Sequence, residues 1–167
     1  MHYRIAIEQN PNKAESYYNL GNALCVKAEF EKAVINYKKS IDLDPYNAPA
    51  FYNLGNAYYM MNEFERSIFA YSNALKLNPE SAECHFNIAS AYNDKGDYEN
   101  ALKHYTFSHK QDPNNCETHV NIGTIFETQN NMKEALIAYK KALLIKPDHS
   151  KANDSVERLE KALAQSQ

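Results

Sequence analysis

Five of the six prolines in the chain, Pro11, Pro45, Pro79, Pro113 and Pro147, fall 34 residues apart. Proline ends a helix and pushes the residue before it out of α geometry, so a fixed proline period is a fixed helix-stop period. Self-similarity at this length marks stacked supersecondary units, each burying its apolar face on the next, and not a single central core. Aligned on proline, the chain divides into units 14–47, 48–81, 82–115 and 116–149, each with Pro as its thirty-second residue.

Every unit repeats the same order of large and small side chains. Its fourth, seventh, eighth and eleventh positions read Tyr17, Leu20, Gly21, Leu24; Phe51, Leu54, Gly55, Tyr58; His85, Ile88, Ala89, Tyr92; and His119, Ile122, Gly123, Phe126. That spacing lays one face of a 3.6-period helix against a core. A second helix then repeats small–tyrosine–small: Ala33, Tyr37, Ser40; Ser67, Tyr71, Ala74; Ala101, Tyr105, Ser108; Ala135, Tyr139, Ala142. The small residues let two backbones approach, and the tyrosine is expected to fill the space between neighbouring units. Over nearly the whole chain this pattern resembles the tetratricopeptide repeat family. The resemblance implies an all-α fold, a right-handed superhelical solenoid of antiparallel helix pairs.

Counting back from Pro11 makes Tyr3 and Ala6 the twenty-fourth and twenty-seventh positions of an earlier unit, so 1–13 reads as a trailing half-repeat. A piece of a longer array is expected, with Ile5 on an apolar strip left uncovered and a weak homodimer through that N-terminal end. Residues 150–167 read as a C-terminal capping helix, with Ala152, Val156, Leu159 and Leu163 on one side and charge on the other.

Composition excludes several classes of function. A net charge of −3 gives no general electrostatic case for nucleic acid. No stretch has the apolar length of a membrane span or a signal-peptide core. Three cysteines without paired spacing point to a reducing compartment, cytoplasm or nucleus. The four glycines fall at the eighth position or, for Gly96, in an inter-helix turn, so none is left for a phosphate loop. Cys84, His85, Cys116 and His119 come from equivalent ends of adjacent first helices, but they read as packing groups. No catalytic residue, metal or cofactor is expected.

The first helices of such units line the concave side, and there the sixth position is asparagine in every complete unit: Asn19, Asn53, Asn87 and Asn121. Asn22 and Asn56 add amides at the ninth position. Asparagine is a mediocre helix former, so propensity does not explain the run, whereas its amide can both donate to and accept from a peptide backbone. The ladder resembles that of the repeats in O-linked N-acetylglucosamine transferase. The competing role is to bond a neighbouring helix and set repeat geometry. Tyr18, Tyr52, Phe86 and Tyr59 supply aromatic surface beside the amides. Glu15, Glu83, Glu117, Asp94 and Glu127 favour a neutral or basic peptide over an acidic one. Cochaperone members of the family grip a C-terminal carboxylate with basic residues at the second, fifth and sixth positions; here the corresponding residues are Tyr18, Asn53, Glu83 and Asn87, or Tyr52, Asn87, Glu117 and Asn121. The lysines and arginine of that clamp are absent.

The third unit departs from the pattern. His109 and Gln111 replace the aliphatic residues Ile41 and Leu43 of the first, so the helix end at 107–112 is expected to pack loosely. The expected function is non-catalytic binding of an extended peptide or partner protein in the concave groove, as part of a scaffold or targeting protein. The alternatives are the substrate-docking repeats of an enzyme, glycosyltransferase-like, whose catalytic domain lies elsewhere, and an architectural self-assembling array.

Overall fold

The computed structural model describes residues 7–165. Among them residues 7–9 are helical, and nine complete helices follow: α1 Ala14–Val26, α2 Phe30–Leu43, α3 Ala48–Met60, α4 Phe64–Leu77, α5 Ala82–Asp94, α6 Tyr98–Gln111, α7 Cys116–Thr128, α8 Met132–Ile145 and α9 Ser150–Gln165. Consecutive helices pack antiparallel as the pairs α1–α2, α3–α4, α5–α6 and α7–α8, which stack into a right-handed superhelix with α9 on α8. Tyr3, Ile5 and Ala6, on which the expected N-terminal contact turns, lie outside the described residues.

Local chemistry sets where each helix starts and stops. Asn47, Ser81 and Asn115 cap α3, α5 and α7, each side-chain oxygen accepting from a first-turn N–H. His149 does the same for α9, its Nδ1 accepting from the Ala152 N–H at 3.3 Å. The first helix of each pair ends in a left-handed residue: Ala28, Asn62, Gly96 and Asn130, with φ between 56° and 80°. The two reversed hydrogen bonds of a Schellman turn close behind it, as in Ala28 N–H to Cys25 O and Glu29 N–H to Leu24 O. The second helices end two residues before the periodic proline, and the one residue between, Asp44, Asn78, Asp112 or Lys146, has left α geometry.

The core is a row of tyrosines. Tyr37, Tyr71, Tyr105 and Tyr139 are essentially fully buried. Burying a large apolar side chain contributes about 1.5–3 kcal/mol, so this row is a major source of cohesion. The sequence pattern placed the rings between neighbouring units. In the structure each ring packs first on its own pair, over Gly21, Gly55 or Gly123 of the preceding helix, or over Ala89 in the third pair. The pairs are not equally close, because α6 packs less tightly on α7 than α2 does on α3 or α4 on α5. At that junction His109 lies edge-on to buried His119 with ring centroids 4.5 Å apart, and its Nδ1 is buried without a hydrogen-bond partner among the described residues. A cleft of about 320 Å³ opens beside the two histidines.

Candidate functional site: the concave groove

The first helices α1, α3, α5 and α7 lie side by side along one face, and their polar residues form a network that runs from pair to pair. Asn53 Nδ2 donates to the Tyr18 hydroxyl at 3.1 Å and to Asn22 Oδ1 at 2.9 Å. One pair further on, Asn87 Nδ2 donates to the Tyr52 hydroxyl at 2.8 Å and to Asn56 Oδ1 at 3.4 Å. The core tyrosines close the network from below: Tyr37 donates to Asn22 Oδ1 at 2.8 Å and Tyr71 to Asn56 Oδ1 at 2.6 Å. The Asn121 amide lies beside the Tyr105 hydroxyl with its donor side toward it. Ser90 and Thr124, at the ninth position of the last two pairs, meet the Tyr105 and Tyr139 hydroxyls at 3.0 and 3.1 Å.

These contacts commit the sixth-position amide donors of Asn53 and Asn87 to inter-pair bonds. The Oδ1 atom of Asn87 and the Nδ2 atom of Asn22 keep no partner among the described residues, nor does the Asn19 side chain. Phe86 stands edge-on to Tyr105, with centroids 5.5 Å apart, and borders a cleft of about 270 Å³ together with Tyr59, Asn56 and Asn87.

The electrostatics of this face are one-sided. Helices α1, α3, α5 and α7 contain Glu15, Glu83, Asp94, Glu117 and Glu127 but no lysine or arginine. Tyr52 donates to Glu83 at 2.5 Å and Tyr59 donates to Asp94. Burial first, and the neighbouring carboxylate second, push both phenols well above the ordinary tyrosine range. Burial likewise pushes Tyr105 up to about 12.

Family models of one kind cover the chain in overlapping segments. Tetratricopeptide repeat models match residues 48–81, 82–115 and 117–149, and others match 2–35 and 27–62. The chain belongs to the tetratricopeptide repeat family. Among solved structures, two crystal structures of MamA superpose on 89% of this chain at 27% identity, with TM-scores of 0.84 and 0.82 over 87% and 81% of their own lengths. MamA from Desulfovibrio magneticus RS-1, residue 41 to the end, gives a TM-score of 0.81 at 18% identity, over 86% of this chain and 81% of that one. No curated protein matches.

Of the groove residues named from sequence, hydrogen bonds bring together Tyr18, Asn22, Tyr52, Asn53, Asn56 and Asn87, and Tyr59 and Phe86 border a cleft with the last two. What the sequence did not reveal is how they bond to each other. Tyr18–Asn53 and Tyr52–Asn87 are each separated by 35 residues, one repeat plus one position, and that offset was the available signal. Among the described residues Cys84, His85, Cys116 and His119 do not come together as one set of metal ligands. His85 Nδ1 faces His104 Nδ1 at 3.1 Å, and His119 packs on His109. Cys116 instead lies with Glu117 and His149, their ligand atoms within 4.8 Å of one another. His149 Nε2 meets Glu117 at 2.9 Å while Nδ1 caps α9, so both of its ring nitrogens already serve the fold.

Proposed function

We propose that this tetratricopeptide array binds, without catalysis, an extended neutral or basic segment of a partner protein along its concave groove, as an interaction module of a scaffold or targeting protein in the cytoplasm or nucleus. One observation carries the reading: the groove helices combine amides and aromatic rings with five acids and no lysine or arginine. Open amide groups suit a peptide backbone, aromatic walls suit apolar side chains, and the field repels acidic segments.

Selection from a random peptide library against the 167-residue chain tests it. Enriched peptides should be poor in Asp and Glu. They should lose affinity in Phe86→Ala and keep it in Phe69→Ala, which alters an exposed ring on α4, outside the groove helices. Enrichment of acidic peptides, or loss of binding in Phe69→Ala alone, would overturn the reading.

A further inference from the structure

Of the five groove acids, two pair with a lysine or arginine and a third is held by a histidine that also caps α9. Glu15 pairs with Lys13 at 2.9 Å, Glu117 meets His149 at 2.9 Å, and Glu127 pairs with Arg158 at 2.7 Å. Glu83 and Asp94 have no ion-pair partner among the described residues; Glu83 accepts from the Tyr52 hydroxyl of α3, and Asp94 accepts from the Tyr59 hydroxyl of α3 and from Asn93 Nδ2 at 3.3 Å. Lys95, next to Asp94 in the chain, is turned away onto Glu65 at 2.9 Å.

Asp94 is the last residue of α5, where the carbonyl end of the helix dipole opposes a negative charge. The dipole thus disfavours the charge of Asp94, and no lysine or arginine offsets it there. The contrast with Glu127, also in a last turn but matched by Arg158, is direct. Each free carboxylate also adjoins an opening. Glu83 lines a cleft of about 300 Å³ with Tyr18 and Tyr52, and Asp94 hangs on the Tyr59 wall of the cleft of about 270 Å³ that Phe86 shares. An aromatic wall beside a carboxylate suits an alkyl-ammonium or guanidinium group, which gains from both the ring face and the charge.

We propose that the seam between α3 and α5 is a two-anchor site for an extended segment carrying two lysine or arginine residues about five residues apart, one seated at Glu83 and the other at Asp94. The spacing follows from geometry. Eleven residues along α5, at about 1.5 Å each, separate the carboxylates by about 16 Å, and an extended chain rises about 3.3 Å per residue. The site rests on the groove reading above and adds to it the chemistry and register of the ligand.

The probes are fluorescein-labelled peptides of about twelve residues, built of serine, alanine and glutamine, with two lysines spaced from about two to about eight residues apart. Fluorescence anisotropy reads their affinity for the whole chain at low salt, where exposed charges are least screened. Affinity should peak near a spacing of five. Asp94→Asn and Glu83→Gln keep an acceptor for the tyrosine and remove the charge; each should weaken the best-spaced peptide by about tenfold and flatten the spacing profile. Circular dichroism confirms that the variants fold. Equal affinity at every spacing, or unchanged binding in the double variant, overturns the two-anchor site. If lysine-free control peptides bind and lose affinity in Phe86→Ala while the acid variants change nothing, the groove reading stands without it. If no extended peptide binds at any spacing, both fall.

Discussion

Gly55 lies directly beneath the ring of Tyr71, so that a Cβ added at Gly55 would meet Tyr71 Cδ1 at 2.5 Å. The glycine is required by this approach, since its backbone is ordinary helix. Gly55→Ala gains helix propensity of about 1 kcal/mol but forces the ring off its seat and off Asn56, to which its hydroxyl donates at 2.6 Å. Overpacking of this kind costs about 1–3 kcal/mol, and the ring cannot yield without opening the pair. The net expectation is a lower urea midpoint for Gly55→Ala, read by circular dichroism. A midpoint at or above the parent's would show that the tyrosine row adapts.

A second prediction concerns the turns inside the pairs. Ala28 sits at φ 56°, the left-handed residue of a Schellman turn, where the equivalent residue of the third pair is Gly96 at φ 80°. An L side chain is strained there and glycine is not. Ala28→Gly should therefore stabilise by about 0.5–1 kcal/mol after the added unfolded-state entropy, while Gly96→Ala, which meets no atom within 4 Å, should lose about 1 kcal/mol through the backbone alone. Opposite shifts in melting temperature are the check.

The repeat register, the helix pairs and the buried small–tyrosine–small row were legible because each depends on one residue and its local period. The Schellman turn at Ala28 was hidden because alanine gives no turn signal, unlike Gly96. The groove bonds were hidden for another reason: Asn53 meets Tyr18 only after two pairs have stacked at a particular rotation, which sequence spacing alone does not fix. The His85–His104 contact follows from a feature of one pair. His104 stands where the second and fourth pairs have Ala70 and Ala138, and the bulk it adds lies against His85.

The asparagines divide into two energetic groups, which gives the third prediction. Asn53 and Asn87 each donate across a pair junction, whereas Asn19 has no hydrogen bond among the described residues. A net hydrogen bond contributes about 1 kcal/mol, and losing the amide leaves a partly buried tyrosine oxygen short of a donor. Asn53→Ala and Asn87→Ala should each lower stability by about 1 kcal/mol, partly offset by alanine's helix propensity. Asn19→Ala should be neutral or slightly stabilising. If all three variants melt alike, the inter-pair bonds contribute nothing to cohesion. If Asn19→Ala weakens a groove peptide without changing the melt, the outermost amide serves the ligand alone.

The last prediction is a pH dependence centred on the third pair and its junction with the fourth. Burial, then the neighbouring His85, holds His104 down at about 4; burial, then His109 and Lys141, holds His119 at about 4. Burial also lowers His85. Unfolded, each imidazole titrates near 6.5, so as pH falls below that value the unfolded chain takes up protons that the folded chain refuses. Stability is therefore complete above pH ~6.5, declines as pH falls toward ~4, and stops declining below it once the folded form protonates as well. His119 would withdraw up to about 2 kcal/mol between pH 7 and 5, and half-exposed His104, which solvent screens, less. Carboxylates titrate lower and leave the upper part of this window to the histidines. The array itself supplies the controls, Ala at the position of His104 as in Ala70, and Phe at that of His119 as in Phe51. His104→Ala and His119→Phe should each flatten the slope of urea midpoint against pH between about 6.5 and 5, and together remove most of it. An unchanged slope in the double variant would assign the acid sensitivity to other groups.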